Sequence, residues 1–429
     1  MRSPMRSATL LLAALLSISF FRCGGDTGDQ TDAGDDSGDQ SDAAVPGDAG
    51  PDADNGSPSD TYPAFKVDPP QVLSSGGDVL KTPKVVPVYF NNDDTTFTGT
   101  VTGFLNKIPT STYWGPGEQE YGVGAISIAS PVQLTEDAPA TTTDADIQTW
   151  LAGELSSQKL PAPDANTVYV LYYPAATTSI SLGQGGGTSC QSFGGYHSNI
   201  VVQPSTPVAY AVIPRCPNFG GLTGLDAVSA TSSHEIIEAA TDPYPQTVAA
   251  FGQLDDNHLV WEFVLGGGEI GDMCAQSPSA FYTPADIGSV VQRVWSNAKA
   301  KAGHDPCQPD DGSPYFNSMP VLPEKVTIAG QLTTEGVTIP VGQSKTVEID
   351  LFSDAKTSGD WSVSAIDSAT LQGQSPELDF AWDRTSGRNG EKLHLTITVK
   401  KASQYGAEAF LLESKLGLTT NFWIGVVAN

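Results

Sequence analysis

The stretch from Gly24 to Asp60 limits what this chain can fold into more than any other feature. It holds eleven Asp and no Lys, Arg or aromatic residue, and Val45 is its only branched aliphatic side chain. Such a segment has too little apolar surface to offset the entropy of ordering, and its like charges repel and extend it. It reads as an acidic disordered linker over residues 24–61, with the folded part beginning near Tyr62. Its Asp-rich repeats invite a calcium-binding reading, but a flexible chain does not preorganise a multi-oxygen cage, so a solvated spacer is the expectation. The whole chain carries a formal charge of −28. With the three arginines of residues 1–22 and the eleven linker aspartates set aside, about −20 stays on the folded part. That excess argues against nucleic acid and anionic membrane surfaces as partners and favours cationic ligands and metal ions.

Ahead of the linker, Arg2 and Arg6 precede an apolar run from Ala8 to Phe21, the layout of a secretory signal peptide over residues 1–22. The run is too short to span a bilayer comfortably. Cys23 follows, then Gly24 and Gly25. This resembles a bacterial lipoprotein signal and implies that Cys23 is the lipidated first residue of an exported, cell-surface protein. Membrane contact is then expected through the lipid anchor alone. The four other cysteines, Cys190, Cys216, Cys274 and Cys307, are an even set in an exported chain, and disulfides are the default. Sequence neighbours favour Cys190–Cys216 and Cys274–Cys307 among the three possible connectivities. Each bridge is worth roughly 3–4 kcal/mol in the chain-entropy account. A four-cysteine zinc site is the lesser alternative, because no CxxC spacing occurs.

About 370 residues follow the linker, more than one core usually holds. Pro, Asp, Gly and Ser crowd between Pro306 and Pro320, which marks a seam. Beyond it, alternating runs at Lys325–Ile328, Lys345–Leu351, Trp361–Ile366, Leu393–Val399 and Asn421–Val427 predict a small β-sandwich over 320–429. Before it, residues 62–305 predict an α+β domain. Lys84–Phe90 and Thr167–Tyr173 read as buried strands, and Asn199–Gln203 and Ala209–Ile213 as further strands. Helices are expected at Phe97–Ile108, Asp144–Leu155, Gly224–Ala240 and Asp286–Ala302.

One run carries chemistry: Ser232-Ser233-His234-Glu235-Ile236-Ile237-Glu238, continuing to Thr241-Asp242-Pro243. On a helix, His234 and Glu238 share a face about 6 Å apart, with Glu235 one step round. This is the HExxH zinc helix with its second histidine replaced by glutamate. In that arrangement residues four apart grip the metal, and the intervening glutamate takes the proton of the attacking water. Between Arg215 and Arg293 there is no Lys or Arg, yet ten carboxylates lie in the interval. Buried together, Glu235, Glu238 and Asp242 require a cation that no side chain of this interval supplies. Glu269, Asp272 and Asp242 are the candidates to complete the ligand set. His197 and His258 are weaker, each read first as an ordinary polar loop histidine. Zinc is the ion expected from the motif, but one imidazole with two or three carboxylates is a harder donor set than zinc usually takes, which leaves calcium or manganese, or a degenerate structural remnant, as alternatives.

The domain resembles the phosphate-induced, EXORDIUM-like proteins over roughly residues 80–300. The likeness rests on a strand at Val85–Phe90, Leu105 through Ser111 with Tyr113-Trp114, and Tyr121-Gly122-Val123. It continues through Gly194-Gly195-Tyr196-His197-Ser198, Pro214-Arg215-Cys216-Pro217, and Ser233-His234-Glu235 ending in Thr241-Asp242-Pro243. The resemblance implies a zincin-like fold with a mixed sheet over the metal helix, and brings no settled activity with it. Two functions are expected: a metal-dependent peptidase with Glu235 as catalytic base, or a non-catalytic envelope protein that binds glycans or peptides. The partner is an extracellular peptide, protein or glycan. No GxSxG elbow is present, and the Gly185–Gly187 run lacks the Lys-Ser/Thr of a phosphate loop. Thiol titration of the denatured, unreduced protein should find none of the four downstream cysteines free.

Overall fold

The structure is a computed structural model that describes residues 55–115, 119–183, 185–202 and 205–429. The predicted signal peptide, Cys23 and linker residues 24–54 lie outside the described residues. Residues 55–61 are held against the C-terminal part of the chain, which shortens the expected linker at that end. Gly56 bridges Glu391, and the Asn389 side chain donates to the carbonyls of Ser59 and Thr61, at 2.9 and 2.8 Å.

The first half is organised by a mixed sheet in the order 127–128, Lys84–Tyr89, Thr167–Tyr173, Thr206–Pro214, Tyr196–Val202, with 132–133 also pairing to 84–89. All neighbours are parallel except the last pair, where Tyr196–Val202 runs antiparallel along the edge. The central strands alternate between two apolar layers, as the two-residue period of a strand requires. Val85, Tyr89, Val168, Val170, Tyr172, Ala209, Ala211 and Ile213 face one core. Val86, Val88, Phe90, Tyr169, Leu171, Tyr173, Val208, Tyr210 and Val212 face the other. The helix Asp144–Ser156 covers the second layer with Ile147 and Leu151, and Thr143 caps it by accepting from the Asp146 amide. The helices Thr95–Leu105 and Gly224–Thr241 cover the first layer through Val101, Phe104, Ile236, Ile237 and Ala240. Mixed α+β architecture is therefore what forms.

The helix predicted over Asp286–Ala302 does not form. Val291–Gln292 pairs with Phe281–Tyr282, Val294–Trp295 pairs with Cys307–Gln308, and only Asn297–Lys301 is helical, capped by Ser296. The apolar residues had helical spacing, but the β-branched Val290, Val291 and Val294 are better accommodated in extended backbone. Ile287, Val291, Val294 and Trp295 are buried all the same.

Beyond the seam two sheets face each other. One has four antiparallel strands in the order Phe316–Pro320, Ser344–Ser353, Lys392–Val399, Leu378–Trp382. The other holds six, including the long hairpin Ala407–Leu416 and Thr419–Ala428. Phe316 already belongs to the first sheet, so the sandwich begins inside the expected seam. The two halves share a continuous apolar core. Trp261, on the helix Leu259–Leu265, meets Phe422 and Trp423 of the sandwich and Trp295 of the first half, with ring centroids 5.9, 5.7 and 6.5 Å apart. Both predicted disulfides are present, with Cα separations of 5.2 Å for Cys190–Cys216 and 5.7 Å for Cys274–Cys307. Among the described residues no helix is long and apolar enough to cross a membrane. Trp261→Ala should cost about 3–5 kcal/mol. Because that ring joins both halves, urea unfolding followed by tryptophan fluorescence and far-UV circular dichroism should lose the coincidence of the two signals.

Candidate metal centre

The Gly224–Thr241 helix is buried on nearly all sides from Ala227 onward, and small residues make that possible. Its hydroxyls bond back to its own carbonyls: Ser232 to Val228 at 2.6 Å, Ser233 to Ala230 at 2.7 Å and Thr241 to Ile237 at 3.0 Å. Tyr172 of the sheet donates to the Ser232 hydroxyl at 3.1 Å and sets the rotation of the helix. With that rotation fixed, His234, Glu235 and Glu238 face a common recess. His234 Nε2 stands 3.0 Å from Glu238 Oε2 and 3.8 Å from Asp272 Oδ1.

The opposite ring nitrogen defines the tautomer. His234 Nδ1 lies 3.1 Å from Gln292 Oε1, an atom that only accepts, and the Gln292 amide nitrogen donates to the Gly271 carbonyl at 2.7 Å. Nδ1 therefore carries a hydrogen, which leaves Nε2 as the nitrogen that faces Glu238 and Asp272. Gln292 belongs to the segment that sequence periodicity assigned to a helix. Extended backbone there lets its own amide donate to Ser233 Oγ at 3.0 Å and its side chain reach the imidazole.

His197 joins from the antiparallel edge strand. Its Nδ1 lies 3.6 Å from both Glu235 Oε2 and Glu238 Oε2, and its Nε2 3.4 Å from Glu269 Oε1 and 3.2 Å from the Asp242 carbonyl. Sequence reading ranked this residue below Glu269, Asp272 and Asp242. Its sequence signal was its place in Gly194-Gly195-Tyr196-His197-Ser198, where Gly195 permits close approach: a Cβ there would sit 3.0 Å from Glu235 Oε1. Asp242 turns Oδ1 to the Ala250 amide at 2.7 Å and lends its carbonyl to His197. His258 is paired with Asp255 at 2.8 Å. Tyr113 and Trp261 are buried as packing residues, each 3% exposed.

Two groups of ligand atoms meet the spacing a cation needs, each lying within 4.8 Å of one another: His234, Glu238 and Asp272, and His197, Glu238 and Glu269. Glu235 stands in neither. The floor is closed, with side-chain exposures of 3% for Glu238 and 5% for Glu235 and His197. The rim is more open at His234, Glu269 and Asp272, at 16, 18 and 24%.

The glycine-rich turn is required by this crowding. Gly266 closes the preceding helix in the left-handed region, at φ 90°. At Gly271 the backbone is ordinary, but an added Cβ would come within 2.6 Å of Glu238 Oε1 and 2.8 Å of His234 Nδ1. At Gly267 it would collide with the Asp272 carboxylate. The Asp272 amide donates to Glu238 Oε1 at 3.1 Å, so the turn and the helix fix each other.

Electrostatics follow from burial. Among the described residues no Lys or Arg pairs with these five carboxylates. Arg215 turns to Asp93 and the Phe97 ring, and Arg293 to the Ser279 carbonyl and the Tyr282 ring. Burial raises Glu235 and Asp242, and lifts Glu269 well above the usual carboxylate range. Burial together with the Glu238 charge pushes Asp272 up to about 7. Glu238 is held low against burial by His234 and His197, and both imidazoles are raised well above their usual value by the carboxylates although burial opposes it.

No protein-family model and no curated protein matches the chain. Several solved structures align with part of it. Domains 4 and 5 of the S-layer protein SbsC share 14% identity over 26% of this chain and 54% of that one, at a TM-score of 0.17. The titin M3 domain shares 10% over 27% of this chain and 94% of that one, at 0.17. A family 123 glycoside hydrolase from Clostridium perfringens shares 8% over 26% of this chain and 27% of that one, at 0.18. The chain thus spans about half the length of the SbsC fragment, and scores this low carry no argument.

Gly271→Ala should destabilise the protein by about 1–3 kcal/mol through overpacking against His234 and Glu238. Gly153→Ala, in an exposed helical position with open space around it, should stabilise by about 0.5–1 kcal/mol. Urea denaturation of the two variants measures the contrast.

Proposed function

We propose that this is an exported, lipid-anchored bacterial surface protein whose first domain is zincin-like and acts as a metal-dependent hydrolase of extracellular peptides. The observation that carries the reading is the convergence of His234, Glu238 and Asp272, with Glu235 beside them and outside the ligand group. The donor set fits a divalent ion. Gln292 accepts from His234 Nδ1 and leaves Nε2, once its proton is displaced by a cation, as the ligand atom beside Glu238 and Asp272; an acceptor on the other ring nitrogen is usual around a metal-binding imidazole. His234, Glu238 and Asp272 would hold the ion, zinc first and manganese or calcium as alternatives. Such an ion supplies Lewis acidity toward a scissile carbonyl. Glu235, buried and raised, is suited to accept a proton from water and return it to a leaving amine. The likeness of the His234-Glu235 and Thr241-Asp242-Pro243 blocks to EXORDIUM-like proteins agrees with this assignment. The two disulfides agree with folding in an oxidising compartment.

One observation favours a second reading, a non-catalytic envelope protein that binds peptides or glycans and uses the ion for stability. The floor of the recess is nearly closed at Glu235 and Glu238.

Elemental analysis after dialysis should find bound divalent metal in the wild type, and His234→Ala should bind less of it. Glu235→Gln should keep the metal and lose peptide cleavage, because the amide takes no proton from water. Metal-free wild type would overturn both readings. Metal-loaded wild type that cleaves no peptide would leave the second.

A further inference from the structure

We infer that the recess is built for two divalent cations, not one, with Glu238 as the shared carboxylate and His197 and Glu269 holding the second ion. This deepens the metal-site reading above and rests on it. The two ligand groups are separate constellations, each of one imidazole and two carboxylates, and neither contains both histidines. A single ion therefore cannot be gripped by His197 and His234 together as they stand. Glu238 links the groups: both imidazoles approach the same oxygen, Oε2, at 3.0 Å from His234 Nε2 and 3.6 Å from His197 Nδ1. A carboxylate placed between two ligand sets is how paired sites hold ions about 3.5–4 Å apart.

Charge points the same way. Glu235, Glu238, Asp242, Glu269 and Asp272 gather around two imidazoles, with no Lys or Arg ion pair to any of them among the described residues. One divalent ion offsets only part of the charge these five carboxylates carry when ionised, and a second offsets more of it. Gly271 lets the turn press on Glu238 and His234. Glu269 and Asp272, three apart in one turn, lie beside different imidazoles: Glu269 by His197 Nε2 and Asp272 by His234 Nε2. A paired site of mixed imidazole and carboxylate ligands suits manganese or zinc.

The test uses the full mature protein, dialysed against zinc or manganese and counted per chain by elemental analysis. Two ions per chain are expected in the wild type. With manganese, the low-temperature electron paramagnetic resonance spectrum should show the exchange-coupled multiline pattern of a bridged pair. His197→Gln should retain one ion and replace that pattern with the six-line signal of an isolated one. His234→Gln should do the same from the other side. One ion per chain in the wild type, or two with only uncoupled signals, overturns the inference and leaves the single site standing. No bound ion overturns the single site as well. The wild-type count and spectrum decide the matter even if a histidine variant fails to fold, which far-UV circular dichroism would reveal.

Discussion

The interaction on which the site depends is the burial of Glu238. Its carboxylate lies at the centre of the recess, 3% exposed, and receives the Asp272 amide on one oxygen and two imidazoles on the other. A carboxylate so placed is tolerated only with counter-charge at hand. The helix, the glycine turn, the antiparallel edge strand and the Val291–Gln292 strand all converge to supply it.

The surrounding fold makes that convergence rigid. The parallel strands 84–89, 167–173 and 206–214 are apolar on both faces, so helices must cover both. The helix bearing His234 is pinned to the sheet by the Tyr172–Ser232 hydrogen bond. The disulfides brace segments next to the ligands: Cys274 lies two residues beyond Asp272, and Cys190 leads into the strand that carries His197. Trp261 then ties this half to the sandwich through Phe422 and Trp423. The sandwich itself contains His394, but that ring is paired with Asp383 at 2.8 Å and serves the local strand geometry.

Much of this was legible in the residues because it rests on local periodicity and local composition. The strands at 84–89 and 167–173 announce themselves as continuous β-branched and aromatic runs. The 144–156 and 224–241 helices carry their starts in Thr143 and Thr223. His234 and Glu238 share a face by helical arithmetic alone. The segment 286–302 shows the opposite. Its apolar residues fall at helical spacing, yet pairing with Phe281–Tyr282 and Cys307–Gln308 outweighs a weak helical preference. Those partners flank the segment on either side, so its own periodicity does not reveal them.

The sequence by itself determined the mixed α+β class, the sandwich, the even set of cysteines and the helix that bears His234, Glu235 and Glu238. Each follows from spacing within one segment, or from the count of a residue type. Tertiary structure alone decided that His197 belongs to the cluster, that Gln292 sets the His234 tautomer, and that Glu269 and Asp272 go to different imidazoles. The reason is physical: a ligand is defined by where its lone pair points. For residues drawn from an edge strand, a helix, a turn and a distant strand, that direction exists only after the sheet and its helices have packed.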